Sequence, residues 1–467
     1  MAEVAVKKKI KVPHTYVILF TFILLAAIGS YVLPPGVYDR AKDERTGRTL
    51  VNAESFHSVE RTPVTPFQLF NAVPTGMVKA AEISFFIFIC GGVFMMLQST
   101  GAIDAGLSRA IVAVKGKENL MIPVVMLLFS IMGATMGMSE EVMVFVPIGV
   151  ALARAVGYDD IVGMAMLQMG AAIGFSGGIA NPFTVGVAQT IAELPLFSGW
   201  QFRIIGHILL YISAVAYTLH YAKKVRADPT KSYVYGLAKQ EGDERSLDNI
   251  VFTTRHAIVL VIIVGFLGYM LYGVMKLDYY IMELATVFLA MGIIGGLVGG
   301  VAPSELARTF VRGCGDIAFG ALAVGVSRAI LVTLENGHII DTIIHSLAAL
   351  VASVPRGLSA IAMFLVQSVI NFFIPSGSGQ AATTMPIMTP LADLIGLTRQ
   401  TAVMAFHYGD GFSNSIIPTS ASMMGVLAMA KLPYEKWVKF VWPLMVIWTL
   451  IGCVMCYVAA VIELGPF

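Results

Sequence analysis

A chain of 467 residues that is 57% hydrophobic and only 13% charged does not fit a water-soluble domain, where about a quarter of residues carry charge. A formal net charge of +2 offers little to a polyanion, and no basic stripe suggests nucleic acid. No Gly-x-x-x-x-Gly-Lys-Ser/Thr phosphate loop occurs, and the central polar segment is too short for a nucleotide domain, so a primary pump of that kind is excluded. The chain reads as an all-α polytopic membrane protein.

The first apolar run, 13–33, follows Lys7, Lys8, Lys9 and Lys11. At ~20 residues it can span a bilayer and exceeds a signal-peptide core, so an uncleaved first helix is expected. A polar stretch, 37–66, suggests a small ordered cap. Further spans are expected at 77–98, 161–191 (broken), 201–221, 256–275, 279–300, 317–335, 399–430 (broken) and 437–462. Two long segments, 120–156 and 358–395, have polar, Gly-rich centres, and each reads as a re-entrant hairpin of two half-length helices. Amphipathic stretches before them, 103–114 and 339–354, suit helices at the membrane surface. Cys90, Cys314, Cys453 and Cys456 lie in or beside apolar runs, which favours helix packing over a disulfide or zinc framework.

The chain also repeats itself. Pro147, Ile148, Leu152, Ala153 and Gly157 recur as Pro386, Ile387, Leu391, Ala392 and Gly396, 239 residues later. The same offset pairs Gly170 with Gly409, Ser176 with Ser415, Gly186 with Gly425 and Val187 with Val426. Nine identities in 41 positions stand against about three from composition. The expected organisation is an N-terminal helix and external loop (1–76), then a first repeat (77–222) with hairpin 119–157 and broken helix 160–192. A cytoplasmic linker (223–254) and scaffold helices (255–316) precede a second repeat (317–467) with hairpin 357–396 and broken helix 398–430.

Placing the N-terminus inside puts 20 of the 31 basic residues in cytoplasmic loops and ten outside, Arg203 among the latter, with Arg328 in a span. That bias satisfies the positive-inside rule. The first hairpin then enters from the cytoplasm and the second from outside, so the repeats are inverted, a common arrangement in secondary transporters.

Unwound backbone survives in hydrocarbon only where protein or a water-filled cavity satisfies it. Four such breaks are expected: tips at Gly137–Glu141 and Pro375–Gln380, and helix breaks at Ser176–Pro182 and Asp410–Ser420. Gly and Ser there also permit plain close packing of helices, but four clusters in repeat register favour a binding site. Carbonyls, hydroxyls and amides suit a small cation, and half-helix N-termini suit a carboxylate. The candidate substrate ligands are Ser139, Glu141, Asn181, Ser376, Ser378, His407, Asp410 and Asn414. Glu140, Ser176, Ser413 and Thr419 are candidates for ion coupling. Three acids and no base at the breaks favour a substrate with an amino or guanidinium group, or a coupling Na⁺ or H⁺. A dicarboxylate would need Arg328 or cations to compensate. Gly174-Phe175-Ser176-Gly177 also matches the G-x-S-G of intramembrane serine hydrolases, with His207 or His407 as base.

At these residues the chain resembles the anaerobic C4-dicarboxylate carrier family, particularly its basic amino acid antiporter-like subgroup, within the ion transporter superfamily. The resemblance runs from Pro13 to Ile462. It implies an elevator-type scaffold plus transport domain and a homodimer in the bacterial inner membrane. It further implies a substrate such as arginine or ornithine, with a C4-dicarboxylate as the alternative. No cofactor, metal or nucleotide is expected beyond a coupling Na⁺ or H⁺. In symporter relatives, Ser-Asn-Thr motifs at the tips hold sodium and carboxylate. Here Ser413-Asn414-Ser415 is similar but lies at a helix break, and the tips carry Ser376-Gly377-Ser378 and Ser139-Glu140-Glu141.

Overall fold

A computed structural model of the protein describes residues 14–42, 49–114, 118–237, 252–277 and 279–465. Lys7, Lys8, Lys9, Lys11, Arg45, Arg48, Lys115, Lys117, Lys239 and Arg245, counted for orientation, lie outside the described residues. Among the described residues, eight helices are long and apolar enough to cross a membrane.

The apolar run after the N-terminal lysines forms α1 (Thr15–Val32). Leu19 and Ile23 face the protein while Phe20, Leu24 and Leu25 face outward, as expected of a helix between core and lipid. The polar stretch is an ordered cap of two strand pairs. β1 (Gly36–Val37) pairs antiparallel with β4 (His57–Ser58), and β2 (Arg40–Lys42) with β3 (Thr49–Val51). Helices α2 (Pro66–Lys79), α3 (Ala81–Gln98) and α4 (Ala102–Val114) follow. The first hairpin is α5 (Glu118–Met136), a 3₁₀ turn (Glu140–Val144) and α6 (Val146–Ala155). The first broken helix is α7 (Asp160–Gly177), a π turn (Pro182–Gly186) and α8 (Val187–Ile191). Then come α9 (Trp200–Ala227), α10 (Thr254–Lys276), α11 (Ile281–Val298), α12 (Pro303–Asp316), α13 (Ala318–Asn336) and α14 (Ile340–Ser353). The second hairpin pairs α15 (Arg356–Phe373) with α16 (Gly377–Leu394). The second broken helix is α17 (Arg399–Ser413) and α18 (Ala421–Ala430), and α19 (Tyr434–Val461) closes the chain.

The same order of elements thus appears twice, and the packing repeats with it. α5 packs on α7 and α9, as α15 packs on α17 and α19. The two halves also exchange partners: α2 lies on α13 and α12 on α3, while α8 meets α16 and α18 meets α6. Small residues make this possible. A Cβ on Gly76 would stand 2.7 Å from both Ala329 N and Gly325 O, and one on Gly313 would stand 2.8 Å from Gly92 Cα. Backbones that close leave no room for a side chain.

Two helices were not distinguished in the sequence. The expected span 77–98 is interrupted at Ala80, where α2 ends and α3 begins. α2 starts on a capping box in which Thr65 accepts from Gln68 N and the Gln68 side chain accepts from Thr65 N. Residues 303–316, read as a loop among scaffold helices, form α12. All four cysteines are free thiols, with Cys90 and Cys456 buried in helix packing.

Candidate functional site

The two breaks are built differently. α7 ends on Gly178 in the left-handed region (φ +58°), which favours glycine. Asn181 then caps the π turn, its Oδ1 accepting from Phe183 N (3.0 Å) and Thr184 N (3.3 Å). Two carbonyls freed at this break, and two from the loop before α9, are collected by Arg203 of α9, which is 1% exposed. Its Nε donates to Gly178 O (2.8 Å), Nη1 to Ser198 O (2.8 Å), and Nη2 to Phe197 O (2.9 Å) and Ile179 O (3.3 Å). Charge counting placed Arg203 on the outer side, at the start of the span 201–221. Instead it is buried, because the partial negative charge of four carbonyls takes the place of water.

The second break is tied from the hairpin. Asn371 of α15 brings its Nδ2 within hydrogen-bond distance of Ser413 Oγ (2.7 Å), Asp410 O (3.0 Å) and Asn414 Oδ1 (3.0 Å). Ser413 donates to Gly409 O (2.7 Å), and Asn414 Nδ2 donates to Asp410 Oδ1 (3.3 Å). Ser420 caps α18, accepting from Met423 N (3.3 Å). Ser376 does the same for α16, accepting from Gly379 N (3.3 Å). At the first tip, Glu141 folds back so that Oε2 accepts from Ser139 N (2.9 Å).

These pieces meet around a cavity of about 240 Å³. It is smaller than the ~300–1,000 Å³ of drug-sized ligand sites, as suits a small metabolite. The first tip contributes Ser139, Glu140 and Glu141; the second contributes Ser376, Gly377 and Ser378. The second break adds Asn414, Thr419 and Ser420. The remaining wall includes Lys79 of α2, Tyr280 just before α11, and Ser327 and Arg328 of α13. The Tyr280 hydroxyl has its pKa pushed up, first by the negative charge of Glu140, then by burial and by Glu141 and Glu82.

Seven of the twelve predicted site residues therefore line one cavity: Ser139, Glu140, Glu141, Ser376, Ser378, Asn414 and Thr419. The other five, Ser176, Asn181, His407, Asp410 and Ser413, stand behind it. Asn181 and Ser413 serve the breaks as described. Ser176, His407 and Asp410 are fully buried, and Ser176 Oγ, both ring nitrogens of His407 and Asp410 Oδ2 have no hydrogen-bond partner among the described residues. Their repeat mates line a second void of about 20 Å³, beside Ser139 and Asn414, or lie next to its wall. Gln168, at the position equivalent to His407, and Ser415, equivalent to Ser176, each leave an oxygen unpartnered there. Ser176 makes no pair with either histidine: its Oγ, His207 Nδ1 and both His407 ring nitrogens have no partner among the described residues, and His207 Nε2 bonds Ser130 Oγ at 2.9 Å. Glu335 of α13 makes an interhelical ion pair with Lys79 Nζ of α2 at 2.7 Å.

Sequence reasoning missed Asn371, Arg203, Lys79 and Tyr280 as parts of this site. A lone asparagine in the apolar run 358–373 was the one readable sign, as a polar group in hydrocarbon needs a partner.

The family model for the C4-dicarboxylate anaerobic carrier, DcuC, matches residues 12–461. YfcC of Escherichia coli (strain K12), whose name proposes a basic amino acid antiporter, is 32% identical across 91% of this chain and 92% of its own. An uncharacterised protein of Haemophilus influenzae (strain ATCC 51907 / DSM 11121 / KW20 / Rd) is 29% identical across 97% of each chain. Solved structures align more loosely. The YdaH transporter of Alcanivorax borkumensis gives a TM-score of 0.44 at 16% identity, over 97% of this chain and 100% of its own. MtrF of Neisseria gonorrhoeae, described as one of a class of antimetabolite efflux pumps, gives 0.42 at 15%, over 96% and 95%. The family match over nearly the whole length and the relatives point to a multi-pass membrane transporter and not to an enzyme. The chain belongs to the C4-dicarboxylate anaerobic carrier family.

Proposed function

We propose that this protein is a secondary active transporter of a small amino-acid-like metabolite, with a basic amino acid such as arginine or ornithine as its cargo. The observation that carries the reading is the pairing of chemistries in one cavity. Glu140 and Glu141 supply negative charge, while the capped N-termini of α16 and α18 supply backbone N–H groups and partial positive charge. A zwitterion with a cationic side chain uses both. Glu140 and Glu141 hold the cationic group, and Ser139, Ser376, Ser378 and Asn414 orient the substrate through hydrogen bonds. The name of YfcC supports the same substrate class.

Transport follows as alternating access, by exchange or coupled to Na⁺ or H⁺. The hairpins and broken helices move as an elevator-like body against α1–α3 and α10–α13. Repeated element order and reciprocal packing support two inverted repeats. The charge bias of the loops supports an N-terminus in the cytoplasm of a bacterial inner membrane, and the working unit is a homodimer. A second reading, a C4-dicarboxylate carrier, is favoured by Arg328 in the cavity wall and by the family description.

The test is thermal stabilisation of purified protein by arginine, ornithine, lysine, succinate and fumarate, with and without sodium, followed by proteoliposome uptake. Stabilisation by basic amino acids, lost in Glu140→Gln and Glu141→Gln, is the expected result. Stabilisation by dicarboxylates alone would replace it with the second reading.

A further inference from the structure

The formal charges facing the cavity do not cancel. Lys79 is neutralised by Glu335, 2.7 Å away, and Asp410 lies behind the wall. What remains is Glu140 and Glu141 against one guanidinium, Arg328, leaving a net charge of −1. A ligand that balances it carries two positive groups and one negative.

Arg328 differs from the other buried or half-buried arginines among the described residues. Arg203 is spent on four carbonyls, and Arg399 pairs with Asp393 at 2.9 Å and Glu193 at 3.1 Å. Arg328 makes no hydrogen bond or ion pair among the described residues, and its Nε is buried without a partner. Its position is nonetheless fixed. The preceding residue, Ser327, donates to Val324 O at 2.8 Å and reaches Thr419 O of the second break at 3.4 Å. The α13 backbone beside it is clamped against Gly76 of α2. A half-buried guanidinium with open donors, held next to the N-terminus of α18, matches the two-pronged geometry of a carboxylate.

We propose that Arg328 is the receptor for the substrate's α-carboxylate, so that the site selects basic amino acids over the diamines and amines that lack this group. The inference rests on the proposed function and adds to it which end of the substrate meets which wall. The carboxylate lies between Arg328 and the start of α18, and the ammonium and side-chain cation lie toward Glu140 and Glu141. Without a carboxylate, Arg328 is left unpaired opposite a second cation, which is a penalty as well as a lost contact.

The experiment compares L-arginine, its methyl ester and agmatine as stabilisers of the purified protein and as competitors of arginine uptake. The wild-type protein is expected to prefer L-arginine at least ~100-fold, as sites built to bond a polar group reject analogues lacking it. In Arg328→Gln, affinity for L-arginine is expected to fall ~10–100-fold while agmatine binding holds or rises, collapsing the preference. Arg328→Lys keeps the charge and should retain part of it. A well-formed melting transition in both variants controls for folding. Equal weakening of arginine and agmatine in Arg328→Gln, or a wild-type protein that does not discriminate, overturns the anchor and leaves the proposed function standing. A wild-type protein indifferent to arginine, lysine and ornithine overturns both.

Discussion

Replacing Arg203 by methionine removes the donor set on which the first break depends. Four carbonyls lose a partner, but Ser198 O keeps the side-chain amides of Gln189 and Gln400, so three are orphaned: Gly178 O, Ile179 O and Phe197 O. At ~1–3 kcal/mol for each acceptor left unmade, with the part-buried Ile179 O and Phe197 O toward the low end, the gross loss is ~3–7 kcal/mol. Methionine no longer needs a buried charge, which offsets part of that sum, and the net expectation is ~3–5 kcal/mol. Lysine at this position keeps the charge but cannot fork, and should cost about half as much. The assay is thermal unfolding in detergent, followed by intrinsic tryptophan fluorescence. At roughly 2 °C per kcal/mol for a large chain, Arg203→Met should melt about 6–10 °C lower, with Arg203→Lys between it and wild type. A methionine variant melting within about 2 °C of wild type would refute the idea that this guanidinium holds the break together.

Gly76→Ala should cost ~1–3 kcal/mol by overpacking, because its Cβ meets backbone of α13 that cannot yield; Gly265→Ala, with open space around it, should change the melting point little. Asn371→Leu is expected to cut proteoliposome uptake at least ~10-fold per reconstituted protein, by freeing Asp410, Ser413 and Asn414 from their common donor. The Lys79–Glu335 pair is about 40% exposed on both sides, so Lys79→Met should shift stability by less than ~1 kcal/mol while altering substrate affinity, read as KM. In a cysteine-free background, a cysteine at exposed Arg61 should react with an impermeant thiol reagent added outside intact cells, and one at exposed Arg226 should not. The reverse pattern would invert the proposed orientation.

Much of this organisation was legible because membranes impose one severe rule: backbone groups in hydrocarbon must be satisfied. Gly, Ser and Pro clusters inside apolar runs broke that rule locally, and each marked a real interruption, from Gly178 to Ser420. The tips were legible for the same reason, and Glu140 and Glu141 stood out as acids where none should be. Contacts between segments far apart in sequence were not. Arg203 reads as a charge at the outer end of a span because its four acceptors lie elsewhere in the chain, up to 25 residues away. The stop at Ala80 is marked only by the charges on either side of it, Lys79 and Glu82, in a run that stays apolar beyond them. Arg328 was visible as a charge in a span, but the partner of Glu335 on the same helix, Lys79, lies 256 residues away in sequence.

The ties on the two breaks also bear on how such a protein can work. Arg203 reaches the first break from a helix that packs on α7, and Asn371 reaches the second from a helix that packs on α17. Each discontinuity is therefore braced from within its own repeat, and the second is also touched by Ser327 of α13. Under the proposed elevator motion, ligand groups mounted on these braces would travel with fixed spacing, whereas Arg328, on α13, would stay with the frame and meet the cargo from there.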